Sequence, residues 1–260
     1  MKTKKFQWTA AVARFDDDRT TTVCSYRFLV WRMAEEIRET FLRDGYALVD
    51  TLAAEHRSAP WACSRKDLAL LRAECQSLAS LPPESECASD WVAATGCIVE
   101  PWQHFAKEPA RVPPTSWPSQ EAYLARRGPV GALLRQNLAA LAAAALGGSD
   151  VRLLNEQYIV KPPGIPGNAT AFALHQDARA MGDMPPVADN YVSVWLALDD
   201  VDEFNGGLRV RHRSSNEQEA IEVPAGTACL LDHLVWHDSA SNRSPAVRRA
   251  FMPQFFIATH

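Results

Sequence analysis

The chain has 260 residues, 47% of them hydrophobic and 22% charged, with a formal net charge of −4. That is enough apolar material for a packed core and excludes a disordered chain. Acidic and basic residues are mixed along the sequence, so there is no broad basic field for nucleic acid or an anionic membrane, and neither is an expected partner.

The opening "MKTKKFQWTAAVARFDDD" has lysines but no apolar signal-peptide core behind them, and the run "LAALAAAAL" is too short to span a bilayer, so a cytoplasmic protein is expected. From Val30 to Arg43, apolar residues recur at three and four positions and "DG" follows, which predicts a helix. "YALVD" has a short strand pattern. "SRKDLALLRAECQSLAS" predicts a second helix, with Ser64 as its cap and Asp67 at the third position. Residues 81–119 carry seven of the 17 prolines and are expected to be irregular. Residues 130–146 are strong helix formers ending at Gly147-Gly148, and their alanine content suits close packing on a sheet. After Asp150, "VRLLNEQYIV", "FALHQDA", "YVSVWLALDD", "GLRVRH", "AIEVP", "TACLLDHLVWHD" and "RRAFMPQFFIA" are short β-type runs broken by Gly, Pro, Asn and Asp. Such spacing reads as a sandwich or jelly roll. One domain over 1–260 is expected, with a mostly helical flank and lid at about 30–148 and a β core at about 150–260. The six cysteines (Cys24, Cys63, Cys75, Cys87, Cys97, Cys229) include no CxxC pair, which argues against a zinc finger or a disulfide framework.

The chemistry centres on "LHQDA". In an extended strand His175 and Asp177 point the same way and Gln176 the other. Two ligands are too few for a site, but "LLDHLVWHDSASN" supplies His233 and His237 some sixty residues later. Two histidines and a carboxylate on one face of an ion are the ligand set of non-heme Fe(II) oxygenases, and a zinc hydrolase can use similar residues. Eleven positions after His237 stands Arg248; strand parity lets one of Arg248 and Arg249 face the interior, where a guanidinium fork matches a carboxylate.

The order "FLRDGYALVD", "QYIVKPPG", "LHQDA", "VSVWLALDDVDEFNGGLRV", "AGTACLLDHLVWHDSASNRS", "RRAF" resembles the phytanoyl-CoA dioxygenase-like Fe(II)/2-oxoglutarate oxygenases from about residue 35 to the end. The resemblance implies a mainly β fold with flanking helices and a double-stranded β-helix (jelly-roll, cupin-like) core. It implies His175, Asp177 and His237 as iron ligands, Arg248 on the distal carboxylate of 2-oxoglutarate, and His233 as a structural or supporting histidine. Ser239 and Gln157 match positions that accompany the cosubstrate in this family. Trp195, on one face with Tyr191 and Ser193 and opposite Val192, Val194, Leu196 and Leu198, is a further lining candidate.

With Fe(II), 2-oxoglutarate and O2, such an enzyme oxidises a C–H bond of a small molecule, and natural-product or amino-acid-derived biosynthesis is the expected setting. Halogenating relatives replace the carboxylate by a small residue, so Asp177 favours hydroxylation; desaturation, epoxidation, cyclisation and epimerisation share the same cofactor chemistry. A catalytically silent jelly-roll binding protein would show a broken triad or a lost arginine, and neither is seen. A zinc hydrolase has no evident use for Arg248. Arg209, Arg211 and Arg213 alternate where many relatives have Pro-Gly-Ser-His; they are expected to form a solvated edge strand, with contact to substrate the competing reading. Residues 81–119 and "ARAMGDMPPVADN" are expected as substrate lids.

Overall fold

The computed structural model describes residues 20–53, 58–80, 98–105, 120–163, 170–180 and 190–258. The apolar period from Val30 belongs to a longer helix, α1 (Thr20–Asp44), followed at once by β1 (Tyr46–Asp50). Helix α2 (Arg65–Ser80) begins with a reciprocal cap. Ser64 Oγ accepts the Asp67 backbone N–H at 3.2 Å, and Asp67 Oδ2 accepts the Ser64 N–H at 2.7 Å.

Within the Pro-rich region a two-residue strand, β2 (Ile98–Val99), and a helical turn, α3 (Pro101–Phe105), are formed. Its remaining residues, like the centre of "ARAMGDMPPVADN", lie outside the described residues, and so do the expected lids. Helix α4 (Gln120–Arg126) was not foreseen; the Gln120 side chain continues the β ladder, donating to Leu153 O at 2.6 Å and accepting from Leu153 N at 3.2 Å. The alanine-rich stretch is α5 (Gly128–Leu133), a π turn (Leu134–Leu138) and α6 (Ala139–Leu146), closed by Gly147 at φ 73°. These join into one apolar helical run, Gly128–Leu146, of 19 residues, long enough by composition to cross a bilayer; half of it is buried inside the protein. Leu138, Leu141, Ala142 and Ala145 are fully buried, and α6 packs on the neighbouring strands as its small residues allow.

The remaining strands are β3 (Val151–Lys161), β4 (Phe172–His175), β5 (Tyr191–Ala197), β6 (Leu208–Arg211), β7 (Gln218–Ala220), β8 (Thr227–Asp232), β9 (His237–Ser239) and β10 (Arg248–Ile257). They form a six-stranded sheet, β1-β8-β5-β10-β3-β2, and a four-stranded sheet, β4-β9-β6-β7. The fold is therefore β sheets with flanking helices. Alternation sorts the larger sheet's side chains. Val192, Val194, Leu196, Leu230, Phe251 and Phe255 join the helices in one core. Ile159, Trp195, Ala197, Cys229, Leu231, Ala250 and Met252 face inward and meet Leu208 and Val210 of the smaller sheet in a second. Each fully buried aliphatic side chain contributes roughly 1.5–3 kcal/mol, so both layers hold the larger sheet in place. Cys63, Cys75 and Cys229 are free thiols, and burial raises the pKa of each.

One expectation is corrected here. Strand β6 is no edge: β9 and β7 flank it. Arg209 Nε donates to Asp238 at 2.6 Å, while Arg213, past the end of the strand, pairs with Asp232 at 2.7 Å.

Candidate metal centre

Strands β4 and β9 pair antiparallel with His175 directly opposite His237. Their imidazoles lie with ring centroids 4.3 Å apart. His175 Nδ1 is 2.7 Å from Ala173 O and His237 Nδ1 is 3.1 Å from Val235 O. A carbonyl can only accept, so each Nδ1 carries the proton and each Nε2 turns its lone pair to the centre. Burial lowers the His237 pKa, against the attraction of Asp177, and favours the neutral, ligating form.

Asp177 arrives by a route the strand pattern did not foresee. Strand β4 ends at His175, and Asp177 opens a helical turn, α7 (Asp177–Ala180). The turn forms because Ala178 N–H donates to His233 O at 3.0 Å and Arg179 N–H to Gln176 O at 3.0 Å. The two side chains converge all the same: Asp177 Oδ1 lies 3.7 Å from His175 Nε2 and 3.5 Å from His237 Nε2. One ligand atom from each of His175, Asp177 and His237 falls within 4.8 Å of the others. Gln176 faces away and donates to Leu234 O. His233 stays outside this cluster, stacked on Tyr191 at a centroid distance of 5.1 Å, with Nδ1 3.5 Å from Asp232.

Two residues that the sequence reading passed over touch the third donor. Ser193 Oγ donates to Asp177 Oδ2 at 2.5 Å, and Gln254 Nε2 donates to Ser193 Oγ at 2.9 Å and reaches Asp177 Oδ2 at 3.4 Å. Both were findable by parity, since Ser193 shares the inner face of β5 with Trp195 and Gln254 that of β10 with Arg248.

Arg248 is the inward member of its pair, 2% exposed, whereas Arg249 faces the helices and binds Asp199 at 2.8 Å. The Arg248 Cζ lies 5.5 Å from the centre of the Trp195 ring, and its Nη2 donates to Gly206 O. Trp195 is thus interior, two residues from Ser193 on the same face. Lys161, a cation the sequence reading did not single out, is fully buried directly across the ladder from Arg248. Its Nζ donates to Ser239 Oγ at 2.6 Å and to Ala240 O, and lies 5.2 Å from the Phe172 ring centre. Ser239 therefore stands at the cationic end, beside Lys161. Gln157 is half-buried on the inner face of β3, opposite Met252 and two inward steps from Lys161. Gly206, at φ 81°, closes this end: a Cβ there would stand 2.6 Å from Ala240 O and 3.0 Å from Lys161 Cδ.

The profile of the family described as Phytanoyl-CoA dioxygenase (PhyH) matches residues 41–250. The chain belongs to that family. Its relatives in structure agree in fold. The epimerase SnoN from nogalamycin biosynthesis, solved with Fe3+, alpha ketoglutarate and nogalamycin RO, is 18% identical (88% of this chain, 85% of that one, TM-score 0.59). EctD from S. alaskensis, solved with 2-oxoglutarate and 5-hydroxyectoine, is 19% identical (87% and 75%, TM-score 0.59). The carbocyclase SnoK from nogalamycin biosynthesis is 15% identical (86% and 84%, TM-score 0.54). No curated protein matches the chain.

This PhyH-family enzyme is an Fe(II)/2-oxoglutarate-dependent oxygenase, and its residues fit both groups. Two imidazoles and one carboxylate, grouped at one place, suit Fe(II) and leave positions open for reactants. Two buried cations beside a serine hydroxyl suit a carboxylate.

Proposed function

We propose that this PhyH-family oxygenase hydroxylates a C–H bond of a small molecule, with His175, Asp177 and His237 as the Fe(II) ligands. Arg248, with Lys161 and Ser239 beside it, would hold the distal carboxylate of 2-oxoglutarate, and Gln157 and Trp195 would line the space between. The observation that carries this reading is a three-donor cluster and a buried cationic end that both face the space between the two sheets, the first tied across it by Ser193 to Asp177 and the second by Lys161 to Ser239. Trp195 joins them: it is one inward step, about 7 Å, from Ser193 beside Asp177, and it touches Arg248. In this reading the two sheets are the halves of a double-stranded β-helix, within a single domain over 1–260 that works in the cytoplasm.

Bound Fe(II) with 2-oxoglutarate and O2 supplies the oxidant; the chain's residues do the rest. The Nδ1–carbonyl hydrogen bonds of His175 and His237 fix both rings, so they need no reorganisation to bind. Arg248 and Lys161 orient an anionic end and, being buried, do so with little screening. The core around Trp195, Ala197, Cys229 and Met252 excludes water from that end. Asp177 keeps a carboxylate where halogenating relatives have none, which supports oxygen insertion over halide transfer. Epimerisation, cyclisation, desaturation and epoxidation would use the same residues, differing in how the substrate is placed. Natural-product chemistry is supported by the named neighbours SnoN and SnoK. A zinc hydrolase would leave the Arg248 end without a role.

The test is anaerobic addition of Fe(II) and 2-oxoglutarate, which should give a weak visible charge-transfer band, followed by a candidate-substrate screen that reads succinate release. His237→Ala should abolish iron retention; unchanged iron content would move the third ligand elsewhere.

A further inference from the structure

Asp177 has two carboxylate oxygens, and the protein treats them differently. Oδ1 faces Nε2 of both histidines, at 3.7 and 3.5 Å. Oδ2 is turned away from them onto Ser193 Oγ at 2.5 Å, with Gln254 Nε2 at 3.4 Å. Ser193 and Gln254 are cross-strand partners on β5 and β10, so their side chains leave the sheet side by side on its inner face. Gln254 also donates to Ser193 Oγ at 2.9 Å. That bond occupies an acceptor site of the hydroxyl, and the hydroxyl proton is directed at Asp177. All three residues are at most 5% exposed, so water does not compete for these bonds.

We infer that Ser193 and Gln254 are positioning residues that lock Asp177 as a one-oxygen ligand. The consequence follows from counting sites on an octahedral ion. Two imidazoles and one carboxylate oxygen leave three positions, enough for a chelating 2-oxo acid and O2 together. A carboxylate that chelates through both oxygens takes one of those positions, and the two reactants no longer fit at once. Holding Oδ2 back is therefore a requirement of the reaction, beyond any gain in affinity. The inference rests on the proposed role of Asp177 as a ligand, which the same experiment tests separately.

The experiment uses the full chain and Co(II), an air-stable probe. Co(II) affinity is measured by calorimetric titration, and the mode of ligation by difference infrared spectra of protein carrying isotope-labelled aspartate. One-oxygen ligation separates the two carboxylate stretches widely, and two-oxygen ligation brings them together. The parent protein should show the wide separation. Ser193→Ala should weaken Co(II) binding about tenfold and narrow the separation. Gln254→Met should shift both in the same direction by less, and it carries the test if Ser193→Ala fails to fold. Ser193→Thr, which keeps a hydroxyl, should restore both. Weaker binding or a lower melting temperature with an unchanged wide separation would mean that Ser193 merely supports the fold, and would overturn the inference, as would unchanged affinity. Co(II) binding at full strength in Asp177→Ala would instead remove Asp177 from the ligand set.

Discussion

Strand β3 carries buried charge on both of its faces. Outward, toward the helices, Arg127 Nε and Nη2 each lie 3.0 Å from an oxygen of Glu156, and Arg127 Nη1 lies 2.5 Å from Glu74. Tyr158 donates to Glu74 at 2.7 Å and Tyr123 donates to Glu156. The charges there answer one another and fasten α2 and the α4–α5 corner to the sheet. Inward, the hydrogen bonds of Lys161 and its ladder partner Arg248 run to a hydroxyl and to backbone carbonyls. Period-two alternation lets one strand carry buried charge into both layers; on the proposed reading the outer charges hold the fold and the inner ones serve a ligand.

Breaking the outer face should give the largest effect. Removing one partner of a buried ion pair costs roughly 3–5 kcal/mol, so Arg127→Ala should lower stability in urea unfolding by that much. The fraction still folded should bind 2-oxoglutarate normally. On the inner face, Arg248→Ala should weaken 2-oxoglutarate binding by about 1.5–3 kcal/mol, roughly 10- to 150-fold, read by titration of the Fe(II) protein under anaerobic conditions. Undiminished affinity would withdraw the assignment of Arg248. Lys161→Met, similar in length and without charge, should cost about tenfold in the same titration. It should leave unfolding little changed; a loss of stability as large as that of Arg127→Ala would erase the contrast between the faces.

The smallest effect belongs to a third cluster, at the sheet edge. Tyr46 donates to Glu219, and its hydroxyl lies 3.0 Å from His212 Nε2. The hydrogen bond from Tyr46, with His212 beside it, holds the Glu219 pKa below its ordinary value. A carboxylate whose folded pKa is depressed adds stability above its unfolded pKa, about 4.3, and that stability is lost as pH falls through the folded value. Tyr46→Phe should therefore cost about 1 kcal/mol at pH 7. The difference from the parent should shrink as denaturation is repeated at successively lower pH.

Much of this was legible in the sequence, for reasons that particular residues make plain. Alternation along β5 sets Trp195 on the face opposite Val192, Val194 and Leu196, where it lies, and parity lets one of Arg248 and Arg249 face inward, which is Arg248. The Ser64 and Asp67 cap was readable because it is local. The turn that carries Asp177 was not, since it depends on a hydrogen bond to His233, 55 residues beyond Ala178. Lys161 and Gln254 were missed although parity counted from Gln157 and Arg248 marks both. A lysine beside "PPG" looks like the end of a strand, and burial of its ammonium is settled by distant strands. β6 was misjudged as an edge because pairing between strands far apart in sequence leaves no local trace.

Gly206 sets a limit on how this enzyme can be re-engineered. Its carbonyl meets Arg248, and its missing side chain leaves room for Lys161 Cδ and Ala240 O. Any other residue would have to adopt a positive φ and displace a backbone oxygen as well, so the "NGG" corner tolerates no graded adjustment. If the proposed cosubstrate site is right, laboratory evolution toward a shorter or longer oxo acid would thus find its variation at positions 161, 195 and 248, with position 206 staying glycine throughout.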